Sequence, residues 1–231
     1  MSSENKCLAL RLQGPLQSWG FDSQYNRRNT GLMPTKSALA GMCCAALGFG
    51  RGSDEEETFL ARFAALRMMA IAIPRVVEHH YPHAARETTL SVRRLQDYHT
   101  VQNTRKADGG TKDCHITHRQ YLTDASFGVI IEGSAVLLEQ IANALADPKW
   151  GLWLGRKTCI PSAPILAGLR DSRGEALKLL IGEEPLKAFT RQEDAESFAE
   201  GRDSLPDQPV SFASDRRMFT PRRVRISQGT S

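Results

Sequence analysis

Polar and apolar positions alternate in the first patterned stretch of the chain. From Cys7 to Gln13, leucine occupies every second position. Because successive side chains of a strand point to opposite faces, this period of two predicts a half-buried β-strand. Apolar runs at Met68–Pro74 and Ser126–Glu132 predict two more strands, and Leu152–Ile160 is interpreted as a fourth extended segment.

Other stretches repeat their apolar residues at helical spacing. Thr35 is the predicted N-cap of a helix whose apolar residues end at Leu47, before Gly48. The phenylalanines of residues 59–66 predict a short second helix, and residues 137–145 predict a third amphipathic one.

The resulting order predicts an α+β fold of the ferredoxin-like, RNA-recognition-like kind, an antiparallel sheet with helices on one face. The other face is expected to be free, as in modules that stack RNA bases on a sheet. We predict that residues 1–165 form this domain and that residues 166–231 form a small, β-rich C-terminal subdomain.

A long polar excursion separates the second and third predicted strands. Residues 86–120 hold seven basic and four acidic side chains, and Gly109-Gly110 is a candidate hairpin tip. We interpret residues 80–122, approximately, as a projecting basic β-hairpin, or thumb, on which Tyr98 and His99 are placed to stack on bases. A solvated, partly disordered surface loop is the alternative.

Composition narrows the class of protein. The chain has 231 residues, of which 41% are hydrophobic and 24% charged, as expected of a folded globular protein. Its apolar runs are too short to cross a bilayer, and residues 1–6 contain no signal-like apolar region. Five cysteines without repeated spacing do not suit a disulfide framework, so we expect a cytoplasmic protein.

Charge is segregated near the C-terminus. Five arginines fall within the last sixteen residues, whereas residues 183–207 carry eight acidic side chains against three basic ones. Clustered cations favour a polyanionic partner, since binding releases phosphate counterions. The acidic stretch is expected to face water or a basic partner.

Two short stretches are candidates for phosphate contact. Lys36, Ser37 and the free amides at the predicted helix start would form an anion site to which Arg27 or Arg28 adds charge. Any capped helix start looks similar, and there is no P-loop pattern. Gly155 precedes Arg156 and Lys157, and a glycine there would let a nucleic-acid backbone approach. A bend beside a buried Trp153 is the alternative explanation of that glycine.

The residue types on the thumb also suggest two other functions, RNA cleavage and zinc binding. Tyr98, His99, Lys112 and His115 have the side-chain types of a metal-independent ribonuclease, in which a base and an acid act at the 2′-hydroxyl. Cys114, His115, His118 and distant Cys159 are zinc-ligand types, but paired Cys-x-x-Cys spacing is missing, so we expect no metal and no cofactor.

Several of these stretches, taken in order, resemble one known family. The sequence is similar to the CasD ("Cas five") subunits of the type I-E CRISPR Cascade complex at Leu10–Gly20, Pro34–Gly41, Leu95–Val101, Arg119–Phe127, Leu154–Lys157 and Phe212–Ser214. Several ordered matches across most of the chain are more specific than any one of them.

The resemblance implies a non-catalytic structural subunit that grips the 5′ handle of the CRISPR RNA. It implies a thumb that packs against the backbone subunit and the guide, a body that contacts the large subunit, target DNA reached only through the complex, and no homo-oligomer. The RNA-binding residues carried over are Gln17, Trp19, Lys36, Ser37, Arg94, Tyr98, His99, Arg119, Gly155, Arg156 and Lys157.

Another branch of the family cleaves precursor RNA with a tyrosine and an adjacent lysine-histidine pair. Here Lys112 and His115 are separated by two residues. We therefore expect binding rather than catalysis, with endoribonuclease activity as the alternative.

Overall fold

The computed structural model describes residues 5–20, 22–23, 26–81, 83–90, 92–106 and 108–230. The helices and strands follow one another along the chain as β1 (Asn5–Gln13), β2 (Leu16–Gln17), β3 (Arg27–Arg28), α1 (Lys36–Leu47), α2 (Asp54–Ala64), β4 (Arg67–Ala72), β5 (Arg75–Tyr81), β6 (Ala84–Leu90), β7 (Arg93–Arg105), β8 (Thr111–Thr123), β9 (Ser126–Ser134), α3 (Ala135–Ala146), β10 (Leu166–Arg170), α4 (Arg173–Ile181), β11 (Arg191–Asp194), β12 (Asp203–Ser211) and β13 (Met218–Ser227).

Seven strands form one antiparallel sheet in the order β10-β1-β9-β4-β11-β13-β12. The first four of these, with α1 and α3 between them in the chain, make the ferredoxin-like βαββαβ arrangement. The predicted α+β fold is confirmed. Strands β10 to β13 belong to the same hydrogen-bonded sheet as β1, β4 and β9, so the sheet crosses the predicted boundary between residues 165 and 166. The division into a domain of residues 1–165 and a subdomain of residues 166–231 stays a prediction.

The expectation of a free sheet face is wrong. Leu8, Leu10 and Leu12 pack on the side of α1 and α3, as the alternation predicts. On the opposite face, Cys7 and Ala9 are also buried, within a second apolar cluster that includes Leu180 of α4. Helix α4 therefore covers the surface that an open RNA-recognition sheet would offer to bases.

Helix boundaries follow local chemistry. Thr35 accepts a hydrogen bond from the amide of Ala38 (3.4 Å), and Gly48, at φ 78°, ends α1 in the left-handed conformation. Helix α2 begins earlier than predicted, because Ser53 caps it and its acidic first turn suits the helix dipole. Among the described residues, no helix is long and apolar enough to cross a bilayer.

The polar excursion consists of two hairpins. Strands β5 and β6 pair with each other, and the longer β7 and β8 form the predicted thumb hairpin, with Gly109 (φ 84°) in its turn. The base of β8 also pairs with β2 and β3, which fixes the hairpin to the body. The thumb thus consists of β7 and β8, whereas residues 80–81 and 84–90 of the interpreted range belong to the shorter hairpin, which the sequence pattern did not predict.

The interpretation of Leu152–Ile160 as a strand is also wrong. Residues 151–160 form turns and irregular backbone, and the fourth ferredoxin-like strand is β10. The apolar residues that suggested a strand have different environments. Leu154 and Cys159 are buried in the core, whereas Trp153 and Ile160 are exposed.

Candidate nucleic-acid interface

A cleft of about 560 Å³ lies where the first loop, β3, α1, the 151–160 segment and the β12–β13 hairpin meet. We call it the arginine cleft. Among the described residues that line it none is acidic; they are Ser18, Gly20, Ser23, Arg28, Ser37, Ala38, Gly155, Arg156, Pro206, Phe212, Arg217 and Phe219. Three guanidinium groups in a concave, acid-free surface can hold phosphates.

Arg156 ties three elements of the cleft together. Its guanidinium donates to the carbonyl oxygens of Gln120 (2.9 Å) and Arg28 (2.7 Å) and lies 4.7 Å from the centre of the Tyr121 ring. Two of its donor groups are thus used within the protein. Arg156 lines the predicted site, but its first role is to position β3 and β8 against the 151–160 segment.

Gly155 is required by contact within the protein. At φ 101° it adopts a left-handed conformation, and a Cβ placed on it would lie 1.8 Å from the carbonyl oxygen of Ser18. The amide of Ser18 in turn donates to the carbonyl of Leu154 (3.0 Å). The predicted close backbone approach exists, but the approaching backbone is the protein's own.

An aromatic platform forms one wall of the arginine cleft. The rings of Phe212 and Phe219 lie 6.1 Å apart, and the guanidinium of Arg217 sits 5.1 Å from the centre of the Phe219 ring. Arg217 and Phe219 were not among the predicted site residues. The only signals for them in the sequence were the basic C-terminus and the Phe212–Ser214 motif.

Gln17 and Trp19 do not reach the surface, so their assignment to RNA is corrected. Both have 0% exposed area. The Gln17 amide donates to the carbonyls of Leu12 and Ala125, and its oxygen accepts from the Trp19 indole (3.1 Å). These side chains hold the first loop in place, which explains why they belong to a recognisable motif.

The predicted anion site at Lys36 is already occupied by the protein's own carboxylate. The amide of Lys36 donates to Asp207 (2.9 Å), and its buried ammonium contacts Asp194 (3.2 Å) and the carbonyl of Leu66 (2.6 Å). Arg222 completes this buried ion cluster by pairing with both aspartates. The ammonium of Lys36 is therefore bonded within the protein and closed to solvent, so its assignment to RNA is corrected.

The two cations of the buried ion cluster have opposite net pKa shifts, although burial acts to lower the pKa of both. Burial lowers the pKa of Lys36 despite the opposing charge of Asp194. Burial also acts to lower the pKa of Arg222, but hydrogen bonds and charge from Asp207 and Asp194 outweigh it and raise that pKa. The guanidinium is the firmly charged centre of the cluster.

Three other predicted residues are accessible in the body. Ser37 is half-buried and lines the arginine cleft, while Arg27 and Lys157 are exposed beside Arg28 and Arg156. Of the three, only Ser37 lines the cleft, while Arg27 and Lys157 are exposed residues next in sequence to the lining arginines.

The predicted thumb residues divide between its two faces. Arg94 and Tyr98 share one face, where the Tyr98 ring, 61% exposed, meets the edge of His118. His99 and Arg119 share the other face, which also carries Tyr121 and therefore faces Arg156. Only the second pair lies on the side of the arginine cleft.

The residues of the ribonuclease alternative are not brought together. Tyr98 and His99 point to opposite faces of the thumb, and His115 lies on the face of His99. Lys112 is six residues along β8 from His118, the partner of Tyr98, a separation of about 20 Å along a strand.

The zinc-ligand types are likewise dispersed. Cys114 and His115 lie on opposite faces of β8, His118 is four residues from Cys114, and Cys159 is buried in the body. Across the part of the chain that the structure describes, no group of three or more potential ligands is placed to hold a metal ion.

The acidic stretch does not simply face water. Strand β13, which carries basic residues, lies between β11 and β12, which carry acidic ones. Arg225 pairs with Glu193 at 2.9 Å, and Arg222 pairs with Asp194 and Asp207. The basic partner expected for the acidic stretch is, for these residues, the C-terminal segment of the same chain.

Comparison with known proteins places this geometry in a family. The family model described as CRISPR-associated protein (Cas_Cas5) matches residues 7–225. The CRISPR system Cascade subunit CasD of Escherichia coli (strain K12) is 28% identical over 227 residues, covering 96% of each chain.

Two solved structures share the fold. One, a CRISPR RNA-guided surveillance complex, contains a chain with a TM-score of 0.71 and 28% identity, covering 95% of this chain and 88% of that one. The other, the crystal structure of a Cas protein, gives a TM-score of 0.65 and 32% identity, covering 96% and 93%. The resemblance deduced from the motifs is confirmed: the chain belongs to the CRISPR-associated protein (Cas_Cas5) family.

Proposed function

We propose that this chain is the RNA-binding structural subunit of a type I-E Cascade complex and grips the 5′ handle of the CRISPR RNA. The observation that carries the proposal is the arginine cleft, with Arg28, Arg156 and Arg217 around a space with no acidic lining among the described residues. Single-stranded RNA is held through its phosphates and its splayed bases.

The cleft offers a group for each of these contacts. Arg217 has no carboxylate within ion-pair distance among the described residues, so its guanidinium is available to a phosphate. Phe219 and Phe212 offer apolar ring surface for an unpaired base. His99 and Arg119 extend the contact onto the thumb face that carries Tyr121.

The proposed partners are those of a Cascade subunit. The thumb packs against the backbone subunit and the guide, the body contacts the large subunit, and target DNA is reached only through the assembled complex. This chain acts as a single copy in the cytoplasm. Its likeness over nearly full length to a protein named as a Cascade subunit supports these assignments.

The RNA is bound without being cleaved in this proposal. The separation of Tyr98, His99, Lys112 and His115 over two faces of the thumb supports binding alone. Repeat RNA incubated with the purified protein in EDTA stays full-length; specific cleavage that is abolished in His99→Ala would overturn this part of the proposal.

The test compares two neighbouring arginines. Arg217 lines the cleft, whereas Arg216 is exposed and paired with Glu57 at 2.6 Å. Binding of a labelled RNA with the repeat-derived 5′ handle is followed by fluorescence anisotropy at several salt concentrations. We expect Arg217→Ala to weaken binding about ten-fold, since hydrogen bonds to charged groups contribute about 1.5–3 kcal/mol.

The salt dependence provides a second readout. Loss of one phosphate contact lowers the slope of log affinity against log salt by about 0.7 for single-stranded RNA. Arg216→Ala leaves both affinity and slope unchanged. Equal effects of the two substitutions would mean that general surface charge, rather than the arginine cleft, binds the RNA.

A further inference from the structure

Residues 148–160 carry two tryptophans that the fold does not bury. Trp150 and Trp153 are 50% and 38% exposed, whereas the third tryptophan, Trp19, is fully buried. Tryptophan is highly buried on average in folded proteins, so two partly exposed indoles within four residues are unusual. We call residues 148–160 the tryptophan loop.

The backbone of the tryptophan loop is fixed by the end of helix α1. The amides of Lys149 and Trp150 donate to the carbonyls of Ala46 (3.0 Å) and Ala45 (3.2 Å), which belong to the last turn of that helix. The loop therefore presents Trp150 from a defined position.

The ring of Trp153 is also held in place. A Cβ added to Gly151 would lie 2.7 Å from Cζ2 of the indole, so the ring packs directly on the glycine backbone. One side of the indole is covered by its own loop, and part of the ring faces outward. A ring that is already positioned loses little conformational freedom when a ligand stacks on it.

The charge of the tryptophan loop favours an anionic ligand. Residues 148–160 contain Lys149, Arg156 and Lys157 and no acidic residue, and the nearest acid in the chain is Asp147, just before the loop. Exposed aromatic rings among cations are the combination by which proteins bind single-stranded nucleic acid. A surface that binds an apolar protein partner has no need of this charge.

The loop runs directly into the arginine cleft. Gly155 and Arg156 line the cleft, and Trp153 lies two residues earlier, so its Cα is at most about 7 Å from that of Gly155. We propose that Trp150 and Trp153 stack on bases of a single-stranded RNA segment next to the cleft. This second contact surface adds to the proposed function, and it does not require that the cleft's ligand be the 5′ handle.

Intrinsic fluorescence of the full-length chain provides the test. Stacking of a base on an indole quenches its emission, and buried Trp19 gives a constant background. A 12-nucleotide oligouridylate should quench Trp150→Phe, through Trp153, and also Trp153→Phe, through Trp150. It should not quench the double phenylalanine variant. Heparin, a polyanion without bases, should bind without quenching any of them.

Affinity for the same oligouridylate is measured in parallel by anisotropy. Replacing both tryptophans with alanine should weaken binding about 25-fold or more, because each stacked base contributes about five-fold or more. The matched control is Phe198→Ala, which removes another exposed aromatic ring, 70% exposed and outside the loop, and should change affinity less than two-fold. Far-ultraviolet circular dichroism confirms that each variant is folded.

The possible outcomes test the role of the tryptophan loop separately from the proposed role of the arginine cleft. Absence of quenching, equal quenching by heparin, or an affinity within two-fold of the parent would overturn the inference. Normal RNA binding with failure to assemble with companion proteins would assign the tryptophans to a protein interface instead, and would also overturn it. If Arg217→Ala leaves handle binding intact while the tryptophans are still quenched, the proposed role of the cleft fails and this inference stands.

Discussion

The buried ion cluster and the arginine cleft use the same side chain for opposite purposes. In the cluster of Lys36, Asp194, Asp207 and Arg222, two cations face two carboxylates away from water. In the arginine cleft, Arg217 faces solvent beside Phe219, with no carboxylate within ion-pair distance among the described residues. An arginine is available to a ligand only when the fold has not already paired it.

The five arginines of the basic C-terminus illustrate this difference. Arg216, Arg222 and Arg225 pair with carboxylates of the same chain, and Arg223 stacks on Phe198. Only Arg217 lines the cleft. The charge pattern therefore indicated a polyanion-binding surface, but most of the charge serves the fold.

The largest expected effect is a loss of stability when the buried ion cluster is disrupted. Replacing Arg222 with methionine leaves Asp194 and Asp207 without their guanidinium partner. Loss of one member of a buried ion network costs about 3–5 kcal/mol of unfolding free energy. Urea unfolding followed by circular dichroism measures the loss.

The control for this prediction is Arg216→Met, which removes an exposed pair with Glu57 and should cost about 1 kcal/mol or less. A loss as small as that in Arg222→Met would contradict the role of the buried cluster.

A smaller effect is expected on the cleft side. Gly155→Ala places a methyl group against the carbonyl of Ser18 at a positive φ. Such backbone strain costs about 1–3 kcal/mol, and the displaced segment should also lower the affinity for handle RNA. Both quantities are measured on the same preparation, by urea unfolding and by anisotropy.

Gly50→Ala is the matched control for Gly155→Ala, because a Cβ there meets no atom within 4 Å. If Gly155→Ala keeps full stability and full RNA affinity, the close approach of the two backbones does not shape the cleft.

The smallest effect concerns pH. Burial acts to raise the pKa of Glu193, but hydrogen bonds and charge from Arg225 and Arg173 outweigh it and lower that pKa below its usual 4.5. The folded state therefore holds the proton less tightly than the unfolded state does. Stability from this group is present above pH 4.5 and is lost as the pH falls through the lower folded pKa.

Glu193→Gln should accordingly remove part of the acid dependence. The difference in urea midpoint between the parent and the variant should be largest near pH 6 and shrink toward pH 3. A difference that stays constant over this range would show that ionisation of Glu193 does not stabilise the fold.

Local pattern was sufficient for three adjacent strands of the seven-stranded sheet. Residues 7–13, 68–74 and 126–132 were predicted as strands from runs of apolar side chains, and each lies within or closely overlaps an observed strand. The Gly109-Gly110 tip was identifiable because a tight hairpin turn favours glycine at positive φ. These features depend on neighbours along the chain.

The site was less predictable because its residues meet only through the fold. Gln17, Trp19 and Lys36 belong to motifs, yet all three are buried and bonded within the protein. A motif can contain residues that stabilise the fold as well as residues that bind a ligand. Arg217 was missed because nothing in the local sequence distinguishes it from Arg216 or Arg222. Phe219 was missed because its position beside Phe212 depends on the fold.

By itself, the sequence determined the first three strands of the ferredoxin-like order, the thumb hairpin and the family, because periodicity, turn residues and ordered motifs are local properties. The tertiary structure decided which charges are free. Placing β13 between β11 and β12 neutralises arginines against the acidic stretch, while the β12–β13 hairpin brings Arg217 to the cleft. Pairing of charges from distant segments depends on strand order and register, which local pattern does not encode.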